Sequence, residues 1–221
     1  MLLQGQKIME ARMPEITFDE ENHVYKHKNK IVPSVTQILN RVAVSDGESE
    51  HIPIGGNIFQ NNDTAKRFGI AFHKYAELYL KGKEVEASEE MKPWIKQFHN
   101  FLLASGLETK DNDNKNVERV LYSSRYNYAG TADWIAIDRN GQVCVVDWKT
   151  STAESSYWDL QLAAYANLVQ EQETDKIRQG IKRISVRIDE DRYEKRTRKT
   201  EPDFNKFLSI LNTYKIGLKK I

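Results

Sequence analysis

The sequence predicts an α/β fold in which a central mixed β-sheet is flanked by helices. Three observations lead there. Trp134-Ile-Ala-Ile137 and Val143-Cys-Val-Val146 are apolar runs separated by Asp138-Arg-Asn-Gly141, and Asn-Gly between two such runs is the strongest short-range signal for a β-hairpin. The Val143 run is apolar at every position, which marks a strand buried on both faces and therefore central. Helical stretches precede and follow these strands, so the helices cover the sheet rather than forming a separate bundle.

Taken in order, Ile16-Thr-Phe18 and His23-Val-Tyr-Lys26 read as short strands. Ser34 with Gln37 forms a capping box that opens a helix from Val35 to Val42. From Ala43 to Asn62 the chain is polar, holds Gly47, Gly55 and Gly56 and has little periodicity, so residues 41–62 are expected to form a mobile segment. Asp63 is placed to cap a helix running to about Lys81, with Gly82 as its stop. A third helix is expected from Glu89 to Ala104 after Ser88, ending near Gly106, with Pro93 tolerated only in a first turn. Strands follow near Val117–Tyr122, Thr131–Asp138 and Gln142–Lys149, then a helix from about Ser155 to Glu171 and a strand Arg183–Ile188. A last helix starts with Pro202, after Thr200 or Glu201, and runs to about Lys215. The domain reading is an N-terminal extension over 1–30 and a single domain over 31–221.

The 221 residues suffice for one domain with a sizeable core. A formal charge of +1 gives no global nucleic-acid signature, so attraction for phosphate has to be local. Between Asp175 and Thr200 there are ten Lys or Arg against five acids, densest around Lys195 and Arg196; such a run is either a solvated face or a DNA contact. Cys144 is the single cysteine, which excludes an internal disulfide. No stretch approaches ~18 consecutive apolar residues, so no membrane span is expected, and the first fourteen residues resemble neither a secretory signal nor a transit peptide. A cytoplasmic setting, in a bacterial or phage-infected cell, is the expectation.

Chemistry concentrates between Gly130 and Tyr165. If Asp138 pairs with Gln142 across the hairpin, Asp133 stands opposite Asp147, with Cβ atoms ~5 Å apart. A slip of one residue would send the two carboxylates to opposite faces. Lys149 shares the face of Asp147, because residues i and i+2 of a strand point the same way. Opposed like charges destabilise a sheet unless a cation lies between them, and oxygen ligands of this kind suit Mg²⁺ or Mn²⁺. A protonated lysine cannot ligate, but it can orient or deprotonate a water, or neutralise charge on a phosphate.

Gly130-Thr-Ala-Asp133, Asp147-Trp-Lys149 and Gln161-Leu-Ala-Ala-Tyr165 together resemble the PD-(D/E)XK nuclease superfamily. Within it the chain is most similar to the RecB-like exonucleases of the mitochondrial genome maintenance group. The resemblance extends over roughly residues 30–215. Pro33-Ser-Val-Thr-Gln-Ile-Leu39 and Gly69-Ile-Ala-Phe-His73-Lys-Tyr-Ala-Glu77 match its upstream elements. It implies a restriction-endonuclease-like core, with Asp133, Asp147 and Lys149 catalytic. Metal would be held by His73, Asp133, Asp147 and the carbonyl of Trp148, with Glu77 acting indirectly. Gln161 and Tyr165 would face DNA near the scissile phosphate. The lone cysteine excludes the four-cysteine iron–sulfur cluster of several RecB-like relatives.

The expected activity is phosphodiester hydrolysis with one or two Mg²⁺ or Mn²⁺ ions, as an exonuclease on single-stranded DNA or DNA ends, in replication, repair or recombination with a possible partner protein. Segment 41–62 and the helix around Trp94 are the candidates for an arch over the strand, and Tyr122, Tyr126, Tyr128, Trp134 and Trp158 for stacking on bases, with one or two of them expected to do so. The alternatives are a structure-specific endonuclease on the same core, a partner-dependent subunit, or an inactive DNA-binding protein. His23, His27, His51 and His99 have no spacing tied to chemistry, and Cys144 reads as a small buried hydrophobe.

Overall fold

The computed structural model describes residues 16–45, 63–151, 155, 157–173, 177, 180–198 and 202–218. An antiparallel meander comes first: β1 (Ile16–Asp19), β2 (Val24–His27) and β3 (Lys30–Val32). Helix α1 (Val35–Ser45) opens with the expected capping box, Ser34 N donating to Gln37 Oε1 and Gln37 N donating to Ser34 Oγ, both at 3.0 Å. It runs three residues past the expected end. The rest of the expected mobile segment, 46–62, lies outside the described residues.

Helix α2 (Asp63–Leu80) gives way to Gly82 in the left-handed region, at φ +69°. Pro93 does shift the next helix. A single 3₁₀ turn takes Glu89–Met91, and α3 (Lys92–Ser105) begins with Pro93 in its first turn, where the missing N–H costs nothing. Gly106 ends it at φ +62°.

The main sheet contains β4 (Glu108–Thr109), β5 (Val117–Ser123), β6 (Tyr128–Ile137), β7 (Val143–Lys149), β8 (Lys182–Ile188) and β9 (Tyr193–Arg198). Strands β4 and β5 both pair with β6; β7, β8 and β9 follow in that order. Pairing is antiparallel except for β7 with β8, which α4 (Tyr157–Gln172) connects in the crossover that parallel strands require. Helix α5 (Pro202–Leu218) closes the chain.

The hairpin register is the expected one, running from Trp134↔Val146 to Ile137↔Val143, with Asp138 N donating to Gln142 O at 3.0 Å. Asp138 Oδ1 accepts from the backbone N of Asn140 and of Gln142, both at 2.9 Å. Gly141 takes φ +73°, a value that glycine meets without a Cβ clash.

Helices α1, α4 and α5 cover one face of the sheet, where Val35, Leu39, Ile135, Val145, Leu162, Leu168 and Phe207 form a core. Helices α2 and α3 cover the other, packing Phe72, Phe98 and Phe101 against Trp134, Val146, Trp148 and Val186. The basic run, expected as a solvated face or a DNA contact, contains the edge strand β9. Four of the five aromatics proposed to stack on bases are core: Tyr122, Tyr128, Trp134 and Trp158 are each at most 5% exposed. Half-buried Tyr126 packs edge-on against Phe204 at 5.6 Å. Base stacking therefore does not fall to the four core rings. Cys144 is buried in β7.

Candidate active site

Three neighbouring strands bring carboxylates into a row. The β5–β6 register is continuous on either side of Glu118, with Val117↔Trp134 and Arg119↔Ala132, so Glu118 stands across from Asp133. On the other side the β6–β7 register places Asp147 across from Asp133. Asp133 itself is paired in neither ladder. Its carboxylate turns to the neighbouring backbone instead, where Oδ2 accepts from Trp148 N at 2.8 Å.

Two signs show that the backbone bends to make this cluster. Along β6, Tyr128 and Ala132 face the α1–α4 side, and so does Ile135, a spacing that breaks strict alternation at Asp133. Glu118 takes φ +51°, an unusual value for a non-glycine residue that costs on the order of 1–3 kcal/mol and tends to occur at functional sites.

From α2, His73 reaches over the row. Its Nδ1 lies 3.4 Å from Asp133 Oδ2 and 4.0 Å from Glu118 Oε1. His73, Glu118 and Asp133 each offer a ligand atom within 4.8 Å of the others. Gly69, one turn before His73, is in ordinary helical conformation, and a Cβ there would come within 3.3 Å of Thr150 Oγ1, so α2 can lie close against the end of β7.

Lys149 sits on the other side of Asp147. Its Nζ is 2.6 Å from Asp147 Oδ2 and donates to Gln161 Oε1 at 2.8 Å. Gln161 Nε2 in turn donates to Tyr165 Oη at 3.0 Å. All of these side chains are buried, and the Lys149 ammonium lies 5.7 Å from the Trp158 ring centroid. The two contacts of Gln161 fix which end of its amide faces the lysine. Gly130 is the close-approach point behind them, since a Cβ there would lie 2.6 Å from Tyr165 Cε1.

Burial sets the electrostatics. It pushes the Glu118 carboxyl up to about 9, with Asp133 and Glu77 adding repulsion. It pushes Asp133 up to about 6, an effect His73 and Lys149 offset and Asp147 reinforces. A cluster of acids that resists ionisation is one that a cation would stabilise.

The sequence profile of the PD-(D/E)XK nuclease superfamily matches residues 55–219. The chain belongs to that superfamily. The curled mixed sheet with helices on both faces is the restriction-endonuclease-like fold of PD-(D/E)XK nucleases. Among solved structures, a candidate exonuclease from Eubacterium rectale aligns with a TM-score of 0.43 at 10% identity, over 70% of this chain. The chain spans 66% of that protein's length. SSO0001 aligns with a TM-score of 0.34 at 19% identity, over 80% of this chain and 84% of the other. Comparison with curated proteins gives no match.

PD-(D/E)XK nucleases typically use divalent cations, and the residues fit one. Among the described residues Asp147 Oδ2 is buried and accepts no hydrogen bond, although the Lys149 ammonium lies 2.6 Å away as an ion pair. The adjacent donors are one imidazole and carboxylate oxygens, a set that can hold a divalent cation.

The structure thus brings His73, Asp133, Asp147, Lys149, Gln161 and Tyr165 together. Trp148 contributes its backbone, while its indole packs at 5.9 Å on Trp134 on the other face. Glu77 stands apart, bound by Lys74 at 2.8 Å and Lys81 at 2.7 Å, and touches the cluster only through its charge. Lys195 and Arg196 alternate on β9 and so point to opposite faces. Glu118 is the residue that sequence reasoning missed. Its signal was present: pairing Ser123 with Tyr128 across the turn, as the structure does, counts back to Glu118 opposite Asp133.

Proposed function

We propose that the protein is a metal-dependent exonuclease that hydrolyses phosphodiester bonds in DNA, acting on single strands or free ends in replication, repair or recombination, as RecB-like members of the superfamily do. The observation that supports it most is the convergence of His73, Glu118 and Asp133, with Asp147 across from Asp133 and Lys149 held by Asp147 and Gln161. His73, Glu118, Asp133 and Asp147, with the Trp148 carbonyl, would hold Mg²⁺ or Mn²⁺. When bound, such an ion polarises the phosphoryl oxygens and favours hydroxide over water at neutral pH.

The remaining steps belong to the chain. Lys149, anchored by Asp147 and Gln161, presents a fixed positive charge that aligns the attacking water and offsets charge developing on the phosphate. Gln161 keeps the ammonium from swinging toward solvent. Tyr165 accepts from Gln161, which leaves the phenol proton to donate to the strand. Burial of Lys149, Gln161 and Tyr165 lowers the local dielectric and strengthens these interactions.

The test is degradation of an end-labelled single strand, its duplex and a covalently closed circle in Mg²⁺ or Mn²⁺, with Lys149→Ala as control. Loss of linear strands alone, abolished by the substitution, supports the exonuclease. Cutting of the circle reassigns the chain to the endonucleases, and no cutting of any substrate removes the catalytic reading.

A further inference from the structure

The site is polarised across the sheet. From Asp147 toward β5 the facing residues are acids, Asp133 and then Glu118. Toward β9 they change character: β8 places Ser185 beside Asp147 and Arg187 beside Lys149, and β9 places Arg196 beside Ser185 and Glu194 beside Arg187. Trp158, Ser185, Arg187, Glu194 and Arg196 line a cleft of about 320 Å³, a volume at the lower end of ligand clefts (~300–1,000 Å³). Trp158, which lies under the Lys149 ammonium, is the wall that this cleft shares with the catalytic lysine.

From this arrangement we infer that the Arg187–Arg196 cleft seats a phosphate of the nucleotide next to the scissile bond, so that the strand crosses the sheet from the acid row to β9. The inference rests on the nuclease reading of the same site. On the acid row the carboxylates are taken up by the cation they would hold, whereas the β8–β9 side offers two guanidiniums, Arg187 one strand spacing (~5 Å) and Arg196 two (~10 Å) from β7. Glu194 bonds Arg187 at 2.9 Å and Arg192 at 3.1 Å. It holds the Arg187 fork in place and rejects a strand that strays toward the sheet edge.

Alternation along β9 gives the control. Lys195 and Arg196 are both exposed but point to opposite faces, so the two neighbours carry the same charge with only Arg196 in the cleft. The experiment is fluorescence anisotropy of a labelled oligothymidylate titrated with the full chain in Ca²⁺ at several salt concentrations, with oligonucleotide integrity checked afterwards. Arg196→Ala is expected to weaken binding roughly tenfold, as for a lost charge-assisted contact, and to reduce the log–log salt slope by about 0.7. Lys195→Ala is expected to stay within twofold of the parent, and both variants to melt as the parent does.

Equal effects of the two substitutions, an unchanged salt slope in Arg196→Ala, or no binding by the parent overturns the inference. Hydrolysis of the same oligonucleotide in Mn²⁺ separates the two readings. A parent that binds through Arg196 but does not cut fails the nuclease reading alone. A parent that cuts, with Arg196→Ala binding and cutting equally well, fails the cleft alone.

Discussion

Replacing Glu118 by Gln keeps the side chain's size and removes one of the three carboxylates in the row. The ligand atoms of Glu118 and Asp133 lie within 4.8 Å. At an effective dielectric constant near 20, two full charges at that separation repel by about 3 kcal/mol. The repulsion is felt only when Glu118 is ionised. Burial first, and this repulsion second, push its carboxyl up to about 9 in the fold, from an ordinary 4.5, so between those values the folded protein binds more protons than the unfolded chain. Stability without metal therefore falls as pH rises through that window. The Gln variant lacks this loss. Thermal melting in a chelator should show the variant ahead of the parent at pH 9, by up to about 3 kcal/mol or roughly 2–4 °C per kcal/mol for a chain of this size, with the gap closing toward pH 5. Adding Mn²⁺ should reverse the order, because the parent gains a ligand oxygen that the amide supplies poorly. A variant less stable than the parent at pH 9 in chelator, or one that gains as much from Mn²⁺, would refute the account of Glu118 as a strained metal ligand.

Three further outcomes are expected. Gly130→Ala drives a Cβ to 2.6 Å from Tyr165 and should cost about 1–3 kcal/mol in urea denaturation, with slower metal-dependent cleavage as the Tyr165–Gln161–Lys149 chain shifts. Ser34→Ala removes half of the capping box and should cost ~1 kcal/mol in the same measurement, leaving metal-induced stabilisation intact. Glu173→Gln should cost about 3 kcal/mol, because Lys110 at 2.9 Å and Arg119 at 2.6 Å would lose their buried counter-charge. Burial opposes ionisation of Glu173, but those two cations more than offset it and hold its carboxyl below the ordinary value. Its contribution should thus be present at neutral pH and fade as acid melts are taken below about 4.5.

What the sequence made legible was whatever local chemistry determines. The Asn140-Gly141 turn fixed the β6–β7 register, and with it the opposition of Asp133 and Asp147. Ser34 and Gln37 fixed the start of α1, and Pro93 the start of α3. What stayed hidden depended on distant partners. Strand β9 reads Tyr-Glu-Lys-Arg-Thr-Arg, without apolar alternation, because an edge strand carries charge to discourage further pairing; only Arg183–Ile188 beside it makes it a strand. Glu118 can be counted back to a place opposite Asp133 only once Ser123 is paired with Tyr128, and the positive φ that bends its backbone has no local signature. Gln161 and Tyr165 were recognisable as a helix-face pair, but that Gln161 grips Lys149 depends on how α4 lies on β7.

The hydroxyls of Tyr25 and Thr131 lie 2.8 Å apart, tying β2 to the strand that carries Asp133. Val35, Ile38 and Leu39 of α1 are fully buried in the main core, and all of these partners except Thr131 precede residue 55, where the superfamily profile begins to match. A boundary at 30/31 would cut through β3. The length of chain that ancestry marks out and the length that must be transplanted to carry the chemistry are therefore different. A chimera or minimal fragment begun at residue 55 should expose an apolar groove where α1 belongs, and should be read as a damaged protein rather than as the nuclease in miniature.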